Sequence, residues 1–395
     1  MGTLADDPEI TKFVYWDNLT YAPPGSLDPE QWNPEIAMEL YESYLTHCEV
    51  AERLGYAGVS MPEHITPTSI SGYPNVIMSA LSQRTKTARI VSGVNIPLWH
   101  RPIDLAGEWA MIDVLSKGRL EIGLGRHGSF EDQQRALDIA KGVLHGIDYP
   151  MKGSETYISL GNHVQPDDIV KTTLWPRPAQ AKIPLWGAAG SEPSVVAAAK
   201  RGMNLFIGLT TNPDAGTLAT PTLEQTQRSM YLEACEQHGH PASMANVCLL
   251  AITMVADTDE EAVRLVEEGL ISYLEGLLST FVRSGALKLD SEAGTHDPRS
   301  RMVIEALEDP AKMHQLMHGT ARSFATSPFT LIGSPSTVRE KLEFMMSLGI
   351  SRYILALGLG TPHTAVWEAA QAFATDVAPD LFAPTAAVAA AARAV

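Results

Sequence analysis

Eight short runs of apolar, β-prone residues recur along the chain, and amphipathic stretches of helical period separate most of them. The runs fall at 13–15, 57–61, 89–96, 120–125, 184–187, 204–208, 247–255 and 353–356. Strands alternating with helices must lie parallel, because a helical crossover brings the chain back to the end of the sheet where it began. Eight such units favour an α/β (β/α)8 TIM barrel with insertions over a doubly wound sheet. The chain has 395 residues, enough for one barrel of about 250 residues with insertions or for two ordinary domains. The alternation favours the first arrangement: one barrel domain over 1–384, then an alanine-rich tail at 385–395.

Helix boundaries are marked by local chemistry. The stretch 34–54 places Ile36, Leu40, Tyr44, Cys48 and Ala51 at helical spacing and stops at Gly55. Residues 75–85, 102–116 and 191–201 also read as helices, the second beginning on Pro102. The stretch 335–348 has Ser334 in the N-cap position and Gly349 beyond its end. Residues 145–182 and 209–221 read as loops, the segment after Gly128 begins a polar loop, and 284–329 reads as a long polar insertion.

Charge and cysteine content exclude whole classes of partner. Lys and Arg total 29 against 46 Asp and Glu, a net charge of −17. A nucleic-acid partner is disfavoured, because that affinity comes mostly from Lys and Arg; so is an anionic membrane surface. There is no apolar run of about 18 residues to span a bilayer, and the acidic start has no apolar core of a secretory signal. Three widely spaced cysteines, Cys48, Cys235 and Cys248, read as buried reduced thiols in a cytoplasmic protein.

In a barrel, chemistry gathers where strands end at the C-terminal face. There the sequence places Trp16 and Asp17, Glu63 and His64, Asn95, Trp99 and His100, Arg126 and His127, Trp186, and Ser191 and Ser194. A metal centre from His64, His100, His127 and His163 has the weaker case, with no HxH pair and no HExxH helix. The formal GxGxxG reading of Gly123, Gly125 and Gly128 is weak, since the matching acidic residue about 20 positions on is hard to place and the segment after Gly128 begins a polar loop. An anion site has more support: Gly190 allows the backbone to turn, Ser191 caps the next helix, and Arg126 offers a charged partner. For acid–base work the candidates are His64 and its neighbour Glu63. Alternation along an extended chain turns only one of the two into a pocket, and sequence physics does not choose between them. No GxSxG elbow or loop cysteine supports a covalent nucleophile.

With these motifs assembled, the chain resembles the bacterial luciferase-like flavin-dependent monooxygenases. The strongest stretch carries AERLGYAGVSMPEH, IPLWHRP and AGEWAMIDVLSKGRLEIGLGR; WPRPAQAKIPLWGAAGSEPS and TLIGSPSTVREKLEFMMSLGISRYIL also match. The resemblance implies a barrel that holds reduced FMN in its mouth and forms a flavin hydroperoxide with molecular oxygen. It also implies oxygenation of a small-molecule substrate, a separate NAD(P)H-dependent flavin reductase and a homodimer. It assigns His64, with Glu63, to catalysis. It assigns Arg126, Gly190, Ser191 and Ser194 to the FMN phosphate, and Ser92 and Gly93 to the strand beneath the flavin, where a cis non-prolyl bond is expected. It places a mobile lid at 284–329. Trp16, Trp99, His100, His127 and Trp186 are the expected substrate-binding residues.

The chain also departs from luciferase itself. The luciferase cysteine is Gly125 here, its second histidine is Ile65, and the glycine after the motif arginine is His127. These changes argue against light emission and leave oxygenation open. Two other readings remain: a deazaflavin-dependent hydride-transfer oxidoreductase, which shares the barrel, and a flavin-binding barrel without catalysis.

Overall fold

A computed structural model describes residues 12–21, 30, 32–64, 69–125, 130–155, 165–189, 192–210, 220–221, 225–243, 246–283 and 309–382. Eight parallel strands form a closed ring: β1 Lys12–Asp17, β2 Gly58–Met61, β3 Arg89–Asn95, β4 Leu120–Leu124, β5 Leu185–Ala189, β6 Asn204–Ile207, β7 Val247–Val255 and β8 Arg352–Leu357. Neighbours in sequence are neighbours in the ring. Tyr15 of β1 pairs with Leu355 of β8, and Phe206 of β6 pairs with Cys248 of β7. The expected (β/α)8 barrel is the fold, and its eight strands are the eight apolar runs of the sequence.

The helices follow from the same local chemistry. Helix α1, Pro34–Leu54, starts where the Asn33 side chain accepts a hydrogen bond from the Glu35 amide and ends at Gly55, whose φ is 103°. It buries Ala37, Leu40, Tyr44, Cys48 and Ala51. Ile36, expected on that face, lies on the exposed side instead. Helices α2 (Pro74–Arg84) and α3 (Pro102–Leu115) both open on proline, which has no N–H to leave unpaired there.

Several expectations are corrected. The polar stretch after Gly128 is helix α4, Phe130–His145, with Ala136, Leu137, Ala140, Val143 and Leu144 buried at helical spacing; its polar outer face conceals that period. Part of the 145–182 region forms an antiparallel pair, Tyr149–Lys152 with Ile169–Thr172. Residues 284–308 of the expected lid lie outside the described residues. Its C-terminal part contains helix Pro310–Thr326, which buries Leu316, Ala321 and Phe324. Strand Leu331–Gly333 pairs with the end of β7; three residues are too few to show an alternating pattern. Ser334 occupies the N-cap of helix Pro335–Ser347 without a side-chain capping bond. The tail at 385–395 lies outside the described residues.

The barrel interior is filled in layers. At the depth of β4, the buried Glu121 meets Arg89 at 2.8 Å and Arg352 at 3.4 Å, and accepts from Trp186 Nε1 at 2.7 Å. Burial pushes this carboxyl upward, but the two guanidinium groups overcome it and hold it below the usual range. Trp186 stacks on Phe206 at 4.9 Å, with Arg352 over its other face. This plug closes the lower end of the barrel and leaves the C-terminal end open. Among the described residues, no helix is long and apolar enough to cross a membrane.

Candidate active site

Above the plug, the C-terminal mouth of the barrel holds a cavity of about 660 Å³. Trp16, Val94, Ile96, Phe206, Leu250 and Leu359 supply apolar walls, and Glu63, His64, Ser194 and Tyr273 supply the polar groups. A few polar groups set in an apolar concavity are the usual form of a small-molecule site. Trp16, the last residue but one of β1, faces inward, and its Nε1 donates to the carbonyl of Gly93 at 2.9 Å. The peptide bond between Gly93 and Val94 is cis, adjoining the expected segment. A Cβ on Gly93 would sit 2.4 Å from Ser60 Oγ, so glycine keeps this wall flat.

The chain leaving β2 carries Glu63 and His64, and both line the cavity; the strand ends at Met61, so the alternation expected to turn only one of them inward does not reach the pair. Their polar atoms are used differently. The Glu63 carboxylate accepts from the Ile96 amide at 2.6 Å and Asn95 Nδ2 at 3.4 Å, and pairs with His100 Nε2 at 2.5 Å. It fastens the turn after β3. His64 bonds through Nδ1 to Asn18 Oδ1 at 2.7 Å. Burial lowers its pKa to about 4, so the ring is neutral at pH 7 with Nε2 left for the cavity. The choice between the pair that the sequence left open therefore has a geometric basis: Glu63 is committed to scaffold bonds, and His64 is not.

Other candidate residues fall on both sides of the expectation. Trp99 and Ser194 line the cavity. Trp186 does not: it is 1% exposed in the plug below, because its inward-facing position on β5 comes two residues before Ala188, which reaches the cavity. The Ser92 hydroxyl is spent on Gly123, donating to its carbonyl at 3.0 Å and accepting from its amide at 2.8 Å. His100 contacts Glu63 rather than the cavity, and this contact raises its pKa against the effect of burial. Asp17 points away from the mouth and binds the Leu19 amide and His363. Arg126, His127, Gly190 and Ser191 lie outside the described residues, as does His163.

Sequence reasoning missed Tyr273 and Asn18. Tyr273 sits inside the long helix Asp259–Arg283, where an aromatic residue looks like ordinary packing. Asn18 directly follows Trp16 and Asp17, and its position after a strand was an available signal.

Two part-buried histidines are expected to make stability acid-sensitive. Burial, reinforced by His363, lowers His47 to about 4; His47 lies 4.5 Å from His363 and 4.3 Å from Trp367 in ring stacks. For His47 and His64 the unfolded chain takes up protons near pH 6.5 while the folded protein stays neutral down to about 4. Their contribution is complete above pH 6.5 and falls as pH drops towards 4. His100 acts oppositely: its contribution is present at low pH and is lost as pH rises through its raised value. Urea unfolding at pH 7.0, 5.5 and 4.5 should show falling midpoints, with a shallower slope in His47→Phe. Equal midpoints would contradict this account.

Comparisons with known proteins agree with the geometry. The family model for luciferase-like monooxygenases matches residues 27–352. The oxygenase component of the flavin-dependent trigonelline monooxygenase of Acinetobacter baylyi is 30% identical over 249 residues, which is 60% of this chain; the match covers 65% of that relative's length. Among solved structures, the oxygenating constituent of 3,6-diketocamphane monooxygenase from Pseudomonas putida, in complex with FMN, superposes with a TM-score of 0.59 at 17% identity, covering 94% of this chain and 98% of that one. The coenzyme F420-dependent tetrahydromethanopterin reductase of Methanopyrus kandleri does so with a TM-score of 0.60 at 14% identity, covering 94% and 99%. At such identities the structural likeness speaks for the fold alone, which is shared by FMN and deazaflavin enzymes. With a matching family model over most of its length and a barrel mouth that places Glu63 and His64 at an apolar cavity, this chain belongs to the luciferase-like monooxygenase family.

Proposed function

We propose that the chain is the oxygenase component of a two-component flavin-dependent monooxygenase. In this reading it takes reduced FMN from a separate NAD(P)H-dependent flavin reductase and uses molecular oxygen to oxygenate a small, largely apolar organic molecule. The observation that carries the reading is an imidazole bonded through Nδ1 to Asn18, with its other nitrogen left to an apolar cavity at the C-terminal mouth of the barrel.

The residues suit a flavin. The flat wall at Gly93 and the rings of Trp16 and Phe206 offer apolar surface to a planar ring system. Ser194 lies in the first turn of helix Glu192–Lys200, where backbone N–H groups lack helical partners and attract a phosphate. Arg126, Gly190 and Ser191 are assigned to the same phosphate by family resemblance. When bound, reduced flavin supplies the electrons that activate oxygen. The protein's share is to exclude water with its apolar walls, to hold the turn after β3 through Glu63, and to accept or return a proton at His64 Nε2. Trp99 and Tyr273, at the same cavity, serve to receive the substrate.

Arg126→Ala should weaken FMN binding by about 1.5–3 kcal/mol, the worth of a charge-assisted hydrogen bond. Riboflavin, which has no phosphate, should bind the variant and the parent equally. Equal FMN affinity in both proteins would remove Arg126 from the phosphate site.

A homodimer would cover neighbouring apolar faces on α2 and α3, where Val76, Met111, Val114 and Leu115 are exposed, with Tyr73 just before α2. Sedimentation should give twice the chain mass in the parent and the chain mass in Val76→Glu/Val114→Glu. A monomeric parent would contradict the dimer.

The deciding experiment is an anaerobic titration of the protein with photoreduced FMN and, separately, with reduced deazaflavin, followed by mixing with oxygenated buffer. Tight binding of reduced FMN, with reoxidation kinetics altered relative to free flavin, supports the oxygenase reading. Binding of the deazaflavin with no affinity for reduced FMN would replace it with hydride transfer. Altered kinetics also justify a substrate screen using ¹⁸O₂, in which label in the product identifies an oxygenase; binding without any turnover leaves the non-catalytic barrel.

A further inference from the structure

We infer that Asn18 is a positioning residue that holds His64 in the Nδ1–H tautomer, so that Nε2 meets the cavity as a bare acceptor. The inference deepens the proposed function, on which only its kinetic arm rests. It follows from the direction of a hydrogen-bond chain whose far end admits one polarity.

The chain ends on the backbone carbonyl of Gly358, which can only accept. The Thr20 hydroxyl lies 3.5 Å from that oxygen and gives it its single proton. Thr20 Oγ1 is then an acceptor for Asn18 Nδ2 at 3.4 Å. With its NH₂ group turned to Thr20, the Asn18 amide presents Oδ1 to His64, and Nδ1 lies 2.7 Å away. An amide oxygen cannot donate, so the proton between them belongs to Nδ1. In a neutral ring Nε2 is then unprotonated. Burial of the ring, which disfavours the charged form, keeps it neutral.

Asn18 is well placed to impose this. It is fully buried. Its carbonyl accepts from Ser69 Oγ at 2.6 Å, and the next amide, Leu19 N–H, donates to Asp17 Oδ1 at 2.9 Å. Its backbone is therefore tied on both sides, and the amide turns only about its own side chain. In water, the neutral ring of histidine prefers the opposite tautomer, with the proton on Nε2. Asn18 thus reverses the default and makes Nε2 a proton acceptor where the cavity needs one.

The test reads the tautomer directly in the flavin-free protein. Protein labelled with ¹⁵N-histidine gives two-bond ¹H–¹⁵N correlations, and His64 is assigned by its loss in His64→Gln. At pH 7 the parent should show a pyrrole-like Nδ1 and a pyridine-like Nε2. Thr20→Val, nearly isosteric, removes the anchoring proton, and the two His64 shifts should move towards averaged values. Asn18→Asp, an acceptor on both oxygens, should keep Nδ1–H and move the His64 titration upward. A parent protonated at Nε2, or a Thr20→Val spectrum identical to the parent's, overturns the inference. In turnover, Thr20→Val should lower kcat about 10–100-fold with little change in KM, while Asn18→Asp should shift the acid limb of the pH profile upward. Expected spectra in a protein that shows no oxygenation would sink the proposed function and leave the tautomer assignment standing.

Discussion

Replacing His64 by alanine is expected to lower oxygenation roughly 100- to 10,000-fold, the range in which a positioned acid–base group contributes, while FMN affinity changes little. Two features of the site produce this split. His64 contributes one proton-accepting nitrogen to a cavity whose other walls are mostly apolar; the Glu63 carboxylate is committed to Ile96, Asn95 and His100, and burial holds the Tyr273 phenol protonated. The phosphate contacts sit on other elements, with Ser194 on the helix after β5. Single-turnover oxidation of substrate and a flavin-binding titration, run on the same preparation, check both halves. Turnover equal to the parent's would remove His64 from the chemistry. Parallel loss of flavin binding would make it a binding residue instead.

Substituting alanine at Gly123 should cost about 3 kcal/mol of stability, at the upper end for overpacking. A Cβ there would lie 2.2 Å from the Ser92 carbonyl oxygen and 2.5 Å from the Phe206 ring. The backbone cannot withdraw, because both polar groups of Gly123 are held by the Ser92 hydroxyl. Displacing Phe206 would disturb its stack on Trp186 and the cavity wall it forms. Gly239 makes the control: it has a φ of +71° but nothing within 4 Å of a Cβ, and asparagine tolerates that conformation, so Gly239→Asn should change stability little. Urea unfolding of the two variants measures the contrast. A Gly123→Ala protein as stable as the parent would show that strands β3 and β4 can separate there. Similar crowding explains the departure at Gly125, where luciferase has cysteine: a Cβ would meet Val94 Cγ2 at 2.3 Å.

Much of the barrel was legible in the sequence because its signals are local. The period of 34–54 between Asn33 and Gly55 marks a helix by spacing, cap and stop. The eight apolar runs are buried on both faces of a parallel sheet, so hydrophobicity alone exposes them. Where a signal was short or mixed, it was lost: Leu331–Gly333 has three residues, and Phe130–His145 presents a polar face at its start.

The site divides along the same line. Glu63 and His64 stood out as a polar pair at a strand end, and that is a property of chain order. Which of the two keeps a free polar atom depends on groups that reach them from elsewhere: Ile96 and His100 at Glu63, Asn18 at His64. Trp186 looked like a mouth residue because depth within a barrel depends on strand tilt and stagger, which leave no trace in one strand's sequence. Chain order thus determined the elements, their sequence around the ring and the pair from which the acid–base group comes. Only the closed barrel decided which tryptophan plugs the floor, which carboxylate is spent on scaffold, and which way the Gly358–Thr20–Asn18–His64 chain points, because hydrogen-bond partners 46 and 338 residues apart meet through tertiary packing alone.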